Sequence, residues 1–155
     1  MDVTDTPPGY RPGVCNIGGH ERRRRYRYAG VCALAAVAYA VAVLAWSAPT
    51  ALLLGLFVPL SLGTEFLLQG RRSFCASLGL RGRFDLRDAD RESVASVAAD
   101  GGRGGSPGGS EEVGRVTDPS ALAADRRYAL RLTVLGVLGG AAGSALVYAA
   151  AFALG

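Results

Sequence analysis

Cys15, His20, Cys75 and Glu65 are the side chains whose types could do chemistry in this sequence. Two thiols and an imidazole are soft to borderline donors that suit zinc or copper. Cys15 stands shortly before a long apolar block, Cys75 shortly after it, and His20 between Cys15 and a run of arginines. Arginines beside a thiol lower its pKa and raise its reactivity. The three donors are one short of a closed structural site, so a metal ion would need Glu21, an open position or a second subunit. The plainer reading makes Cys15 and Cys75 small apolar residues packed near an interface. Cys32, inside the apolar block, reads as packing.

Glu65 is the single carboxylate within an apolar stretch. An ionisable group there is costly, which suggests a proton or cation site and, as an alternative function, a small oligomeric transporter using Glu65. The competing reading is a shallow side chain that reaches the headgroups and pairs with Arg71 or Arg72. Gln69 and Arg72 share its helix face. The sequence holds no serine–histidine pair, no phosphate loop ending in Gly-Lys-Ser/Thr and no paired carboxylates within apolar stretches. The expected protein is therefore non-enzymatic and needs no cofactor.

The elements that position these residues follow from hydropathy and charge. The chain has 155 residues, 50% of them hydrophobic and 19% charged, against roughly 25% charged in an ordinary soluble domain. All 17 basic residues are arginine, and the formal net charge is +4. From Tyr28 to Thr64 nothing is charged, and nothing is charged from Leu132 to Gly155. About 20 helical residues cross a hydrocarbon core of about 30 Å. The first block is long enough for two spans, broken at Ser47-Ala48-Pro49-Thr50, because Pro49 lacks an N–H and disfavours helical angles at Ala48. The spans are placed near Tyr28–Ser47 and Ala51–Gln69, with Pro59 expected to kink the second. Asp118-Pro119 reads as an N-cap followed by proline at the first helical position. A helix from there to Leu154 would be about 54 Å long.

The expected fold is all-α and integral to a membrane: a helical hairpin plus a third transmembrane helix. Residues 1–27 form a cytoplasmic arm, 28–70 the hairpin, 71–117 a cytoplasmic loop with a Gly-rich linker at 100–110, and 118–155 the long third helix. A short helix is expected over Asp88–Ala99. Arg22, Arg23, Arg24, Arg25 and Arg27 precede the first span, Arg71 and Arg72 follow the second, and Arg126, Arg127 and Arg131 precede the third. One orientation puts all of them inside: N-terminus in, C-terminus out. A cleaved signal peptide fits poorly, since cleavage after Ala48 would place Trp46 at −3 and a second apolar run follows at once.

The arginines also read as contacts to anionic lipid headgroups, each worth about 1 kcal/mol near such a leaflet. Only Tyr26 and Tyr28 interleave with them, a poor pattern for nucleic acid. Gly136-x-x-x-Gly140 and Gly139-x-x-x-Gly143 let helix backbones approach closely, against the hairpin or against a second copy in a homo-oligomer. Ala29, Ala33, Ala36 and Ala40 give the first span a similar face.

Cys15-Asn16-Ile17-Gly18, followed by Glu21 and Arg22–Arg25, then an apolar hairpin, then Phe74-Cys75 and Leu78-Gly79-Leu80-Arg81-Gly82-Arg83-Phe84, resembles a family of small prokaryotic integral membrane proteins of uncharacterised role. Relatives often read Phe-Gly and Gly-x-Phe-Asn-Phe where this chain has Leu78-Gly79 and Phe84-Asp85-Leu86. The resemblance implies a multi-pass protein of the prokaryotic plasma membrane. It draws attention to Cys15, Asn16 and Cys75 without implying a reaction.

Overall fold

The computed structural model describes residues 10–86 and 113–154. The expected helix at Asp88–Ala99 and the linker at 100–110 lie outside the described residues, as does Gly155. The described chain is mostly helical. Helix α1 runs over Gly19–Ala45, a 3-10 helix over Thr50–Leu56, α2 over Phe57–Arg71, α3 over Ala76–Arg81 and α4 over Pro119–Leu154. Strands β1 (Arg83–Asp85) and β2 (Val113–Arg115) pair antiparallel. This small sheet is absent from the sequence reading, because three-residue strands carry almost no period-two signal.

Three helical stretches are long and apolar enough to cross a membrane: Gly19–Ala45, Thr50–Arg71 and Pro119–Ala153. Helix α1 starts at Gly19, well before Tyr28, near which the first span is placed. Arginine is a good helix former, and Glu21 complements the helix N-terminus. The chain breaks after Ala45, with Ser47 at φ 48° and Pro49 leading into the 3-10 helix. Pro59 is the third residue of α2. In the first turn its missing N–H breaks no α-helical bond within α2, so the irregularity falls upstream, as 3-10 winding. Asp118 caps α4 directly: its carboxylate accepts the Ser120 and Ala121 N–H groups at 3.2 and 3.0 Å.

The chain divides into two compact units, the first from Met1–Arg24 with Gln69–Leu130 and the second from Arg25–Leu68 with Arg131–Gly155. In the first, Phe84 packs against Tyr10, Leu86 and Val116. The Phe84 ring lies over its cross-strand partner Gly114, where a methyl group would come within 2.6 Å of it. Phe74 meets Tyr128 edge-on at 4.8 Å, and bare Gly79 leaves room for it.

In the second unit, Ala36, Val43, Leu53 and Leu56 form a core, with Ala40, Ala48, Leu60 and Ala151 packed on it. Tyr39 donates its hydroxyl to the Leu52 carbonyl at 2.9 Å. Gly63 takes Cys32 against its backbone, so Cys32 is a packing residue. Tyr28 meets Phe66 at a tilt, with ring centres 5.4 Å apart, and the Arg25 guanidinium lies 5.8 Å from the centre of the Phe66 ring.

Candidate functional site

Cys15-Asn16-Ile17-Gly18 is held from two sides in the first unit. Asn16 and Ile17 both donate their N–H groups to the Ser73 carbonyl, at 3.1 and 3.2 Å. Gly18 N–H donates to the Asp85 carbonyl at 2.7 Å, and Asp85 N–H donates to the Asn16 carbonyl at 2.9 Å. Ile17 and Asp85 thus form a parallel bridge. Strand β1 has β2 along one edge and the tetrapeptide along the other. Two residues of the motif are almost wholly buried, Asn16 and Ile17, and Gly18 is buried too.

The Asn16 side chain completes the arrangement. A carboxamide carries the same donor and acceptor as a peptide group. Its NH2 donates to the Cys75 carbonyl at 3.1 Å, and its oxygen accepts the Cys75 N–H at 2.7 Å. It satisfies the buried Cys75 N–H ahead of α3, which has no helical acceptor, and shares the Cys75 carbonyl with the Gly79 N–H at 3.0 Å. The motif therefore touches Cys75 through main-chain atoms.

The thiols themselves are placed for packing. Cys75 is fully buried, with its Sγ 3.1 Å from Ser77 Oγ. Cys15 is half-buried, with its Sγ 3.7 Å from the Ile17 carbonyl. Burial pushes the Cys15 thiol above its ordinary pKa, and the Ile17 backbone, Arg11 and Arg22 offset only part of that. The expected activation by arginine is corrected: desolvation disfavours the thiolate more than the guanidinium charges favour it. His20 is exposed at the second residue of α1. Among the described residues, no group of three or more His, Cys, Asp or Glu side chains gathers where it could hold a metal ion. The expected metal trio of Cys15, His20 and Cys75 is not brought together.

A second polar centre in this unit was not read from the sequence. Asp125 on α4 is fully buried. It accepts the Tyr10 hydroxyl at 2.7 Å and the Gly13 N–H at 2.6 Å. Gly13 turns the chain at φ +67°, a left-handed conformation that suits glycine. Tyr10 has its pKa pushed up, by burial first and then by its bond to Asp125. The available signal was one aspartate on a helix stripe otherwise made of Ala121 and Ala129.

In the second unit, the glycines of α4 face α2. A methyl group on Gly143 would meet Leu60, on Gly140 Ser61, on Gly139 Thr64 and on Gly136 Glu65. The numbers fall on one helix as they rise on the other, so the two run antiparallel. Of the two partners left open by the sequence, the hairpin covers this glycine face. Glu65 is half-buried here and accepts the Thr133 hydroxyl at 3.3 Å. Thr64 returns its hydroxyl to the Leu60 carbonyl at 2.8 Å. Ala29, Ala33 and Gly63 also border an apolar groove of about 390 Å³.

The arginines differ in setting. Arg23, Arg71, Arg72 and Arg127 are exposed, while Arg22 and Arg25 are half-buried. Arg24 pairs with Glu21 at 3.2 Å, and Arg127 donates to the Ala123 carbonyl at 3.3 Å.

Comparison with protein-family models, with curated proteins and with solved structures finds no match to this chain.

Proposed function

We propose that this chain is a multi-pass integral membrane protein of the prokaryotic plasma membrane. It spans three times, N-terminus in and C-terminus out, and acts without catalysis, through assembly or partner binding. One observation carries the reading: the apolar helices turn their large side chains outward. Of their most apolar stretches only 11%, 11% and 17% is buried. Leu34 is 72% exposed, Leu146 71% and Phe152 72%. In water such a surface would aggregate, and in hydrocarbon it is the natural exterior. The positions of Arg22–Arg25, Arg71, Arg72 and Arg127 support the orientation and contact with anionic headgroups. A second copy of the chain is the partner in a homo-oligomer, meeting it on faces other than the covered glycine stripe.

Alkaline carbonate extraction of membranes tests insertion, and impermeant maleimide tests topology. The protein should stay with the membrane pellet. A single cysteine at Ser47 (Ser47→Cys, native cysteines replaced) should label from outside in intact cells. One at Arg72 (Arg72→Cys) should label only after permeabilisation. Release into the supernatant would overturn the membrane reading, and reversed labelling would overturn the orientation.

A further inference from the structure

The small sheet places two arginines side by side. Arg83 opens β1, Arg115 closes β2, and the register sets them directly opposite. The Val116 N–H donates to the Gly82 carbonyl at 2.8 Å, one residue beyond the pair on each strand. That bond marks Arg83–Arg115 as a non-hydrogen-bonded pair, the type whose side chains stand closer, with Cα atoms about 4.5 Å apart. Opposed residues project from the same face of a sheet. Both arginines are exposed, and the buried Phe84 and its partner Gly114 occupy the opposite face.

Among the described residues this is an unfavourable arrangement. Like charges directly opposite on paired strands destabilise the pairing. A two-stranded sheet with three residues per strand has little stability to lose. Neither guanidinium has a hydrogen-bond or ion-pair partner among the described residues. Asp118, close in sequence, commits its carboxylate to Ser120 and Ala121. Asp85, on the same face of β1, is buried at 8% exposure. The rigid positioning comes from below: Phe84 over Gly114 on one side, and the Asn16–Asp85–Gly18 bonds along the edge of β1.

We propose that Arg83 and Arg115 form a clamp for a phosphoryl oxyanion. Each guanidinium offers a planar fork of donors that matches two phosphate oxygens. Two forks rising from directly opposed positions on one face can close on one tetrahedral anion and so relieve the repulsion that the register imposes. The same chemistry serves a lipid phosphate headgroup and a phosphate in solution. Only the lipid source rests on the membrane reading above, because the clamp itself belongs to the sheet.

The test uses the full chain purified in detergent at low salt, titrated calorimetrically with inorganic phosphate against a chloride reference. Binding should weaken roughly tenfold in each of Arg83→Gln and Arg115→Gln, since each removes a charge-assisted pair. Arg126→Gln, a basic residue outside the pair, should bind as the parent does. In phosphate-free buffer both clamp variants should melt no lower than the parent, because the repulsion is gone. Reconstitution in phosphatidylcholine nanodiscs with or without phosphatidic acid separates the sources. Loss of phosphate binding on adding phosphatidic acid assigns the clamp to the headgroup, and undiminished binding assigns it to soluble phosphate. The clamp is overturned if the parent binds neither phosphate nor phosphatidic acid, if both variants bind like the parent, or if they melt lower without phosphate. Carbonate extraction is blind to all of these outcomes, so failure of the clamp and failure of the membrane reading are read separately.

Discussion

Asn16 holds the main chain of Cys75 by both its donor and its acceptor, at 3.1 and 2.7 Å, across 59 residues of sequence. The segments that flank the apolar hairpin are thereby joined through one carboxamide. Both atoms it serves are buried, and a buried peptide group without a partner costs roughly 1–3 kcal/mol. Asn16→Ala orphans the Cys75 N–H, while the Cys75 carbonyl keeps the Gly79 N–H at 3.0 Å, and should destabilise the first unit by roughly 1–3 kcal/mol. Asn16→Asp should also be severe, because a carboxylate has no proton to donate to the Cys75 carbonyl. Cys75→Ala, which keeps the clamped backbone, should cost less than either. Hydrogen exchange at the Cys75 and Gly79 amides, with thermal melts in detergent, measures the ranking. A milder effect for Asn16→Ala than for Cys75→Ala would contradict it.

The glycines of α4 are not equivalent. A methyl group at Gly140 would lie 2.6 Å from the Ser61 nitrogen and 2.7 Å from its Cα, backbone atoms that cannot swing away. At Gly143 the nearest atom is Leu60 Cδ1 at 3.0 Å, the end of a flexible side chain. At Gly30 on α1 nothing lies within 4 Å. Gly140→Ala should separate α2 from α4 and lower the melting temperature. Gly143→Ala should be mild. Gly30→Ala should be neutral or stabilising by up to about 1 kcal/mol, from helix propensity. Equal melting temperatures for the Gly140 and Gly30 variants would show that the close approach is not made.

Glu65 contributes a hydrogen-bond acceptor between α2 and α4. Glu65→Gln keeps an oxygen for the Thr133 hydroxyl at nearly the same place. It should leave the melting temperature almost unchanged, whereas Glu65→Val should lower it by leaving Thr133 unsatisfied. Proton-coupled flux in reconstituted vesicles gives the alternative its chance. A flux present in the parent and abolished by Glu65→Gln would make the carboxylate a proton carrier.

The Cys15 thiol should be sluggish. Its pKa lies above the ordinary value, with burial as the main cause. The folded state then holds the thiol proton more tightly than the unfolded state does. The associated stability is fully present below the unfolded pKa of 9.0 and is lost as pH rises through the folded value. Tyr10 shifts in the same direction, so the first unit should loosen on the alkaline side. Alkylation of Cys15 in a Cys32→Ala, Cys75→Ala background should be slower at pH 8 than that of a free cysteine, and its rate should rise late with pH. Fast alkylation at neutral pH would contradict the buried placement.

What the sequence determined by itself lies at the scale of whole helices. Uncharged blocks long enough to span, the Pro49 break, the Asp118 cap and the arginines at every boundary are local or additive signals, and each is readable without knowing a partner. The thiols were also legible as residues of interest, but their role was not. Whether Cys15, His20 and Cys75 converge depends on which segments meet after the hairpin returns, and folding turned Cys75 inward while leaving His20 in solvent. Tertiary structure alone decided that Asn16 serves the Cys75 backbone, that Asp125 receives Tyr10 and Gly13, and that Arg83 faces Arg115. Each is a pairing across tens of residues, held by one or two hydrogen bonds or by a three-residue register. Such pairings leave no periodicity in a single sequence, because their specificity lies in where the chain returns and not in what it repeats.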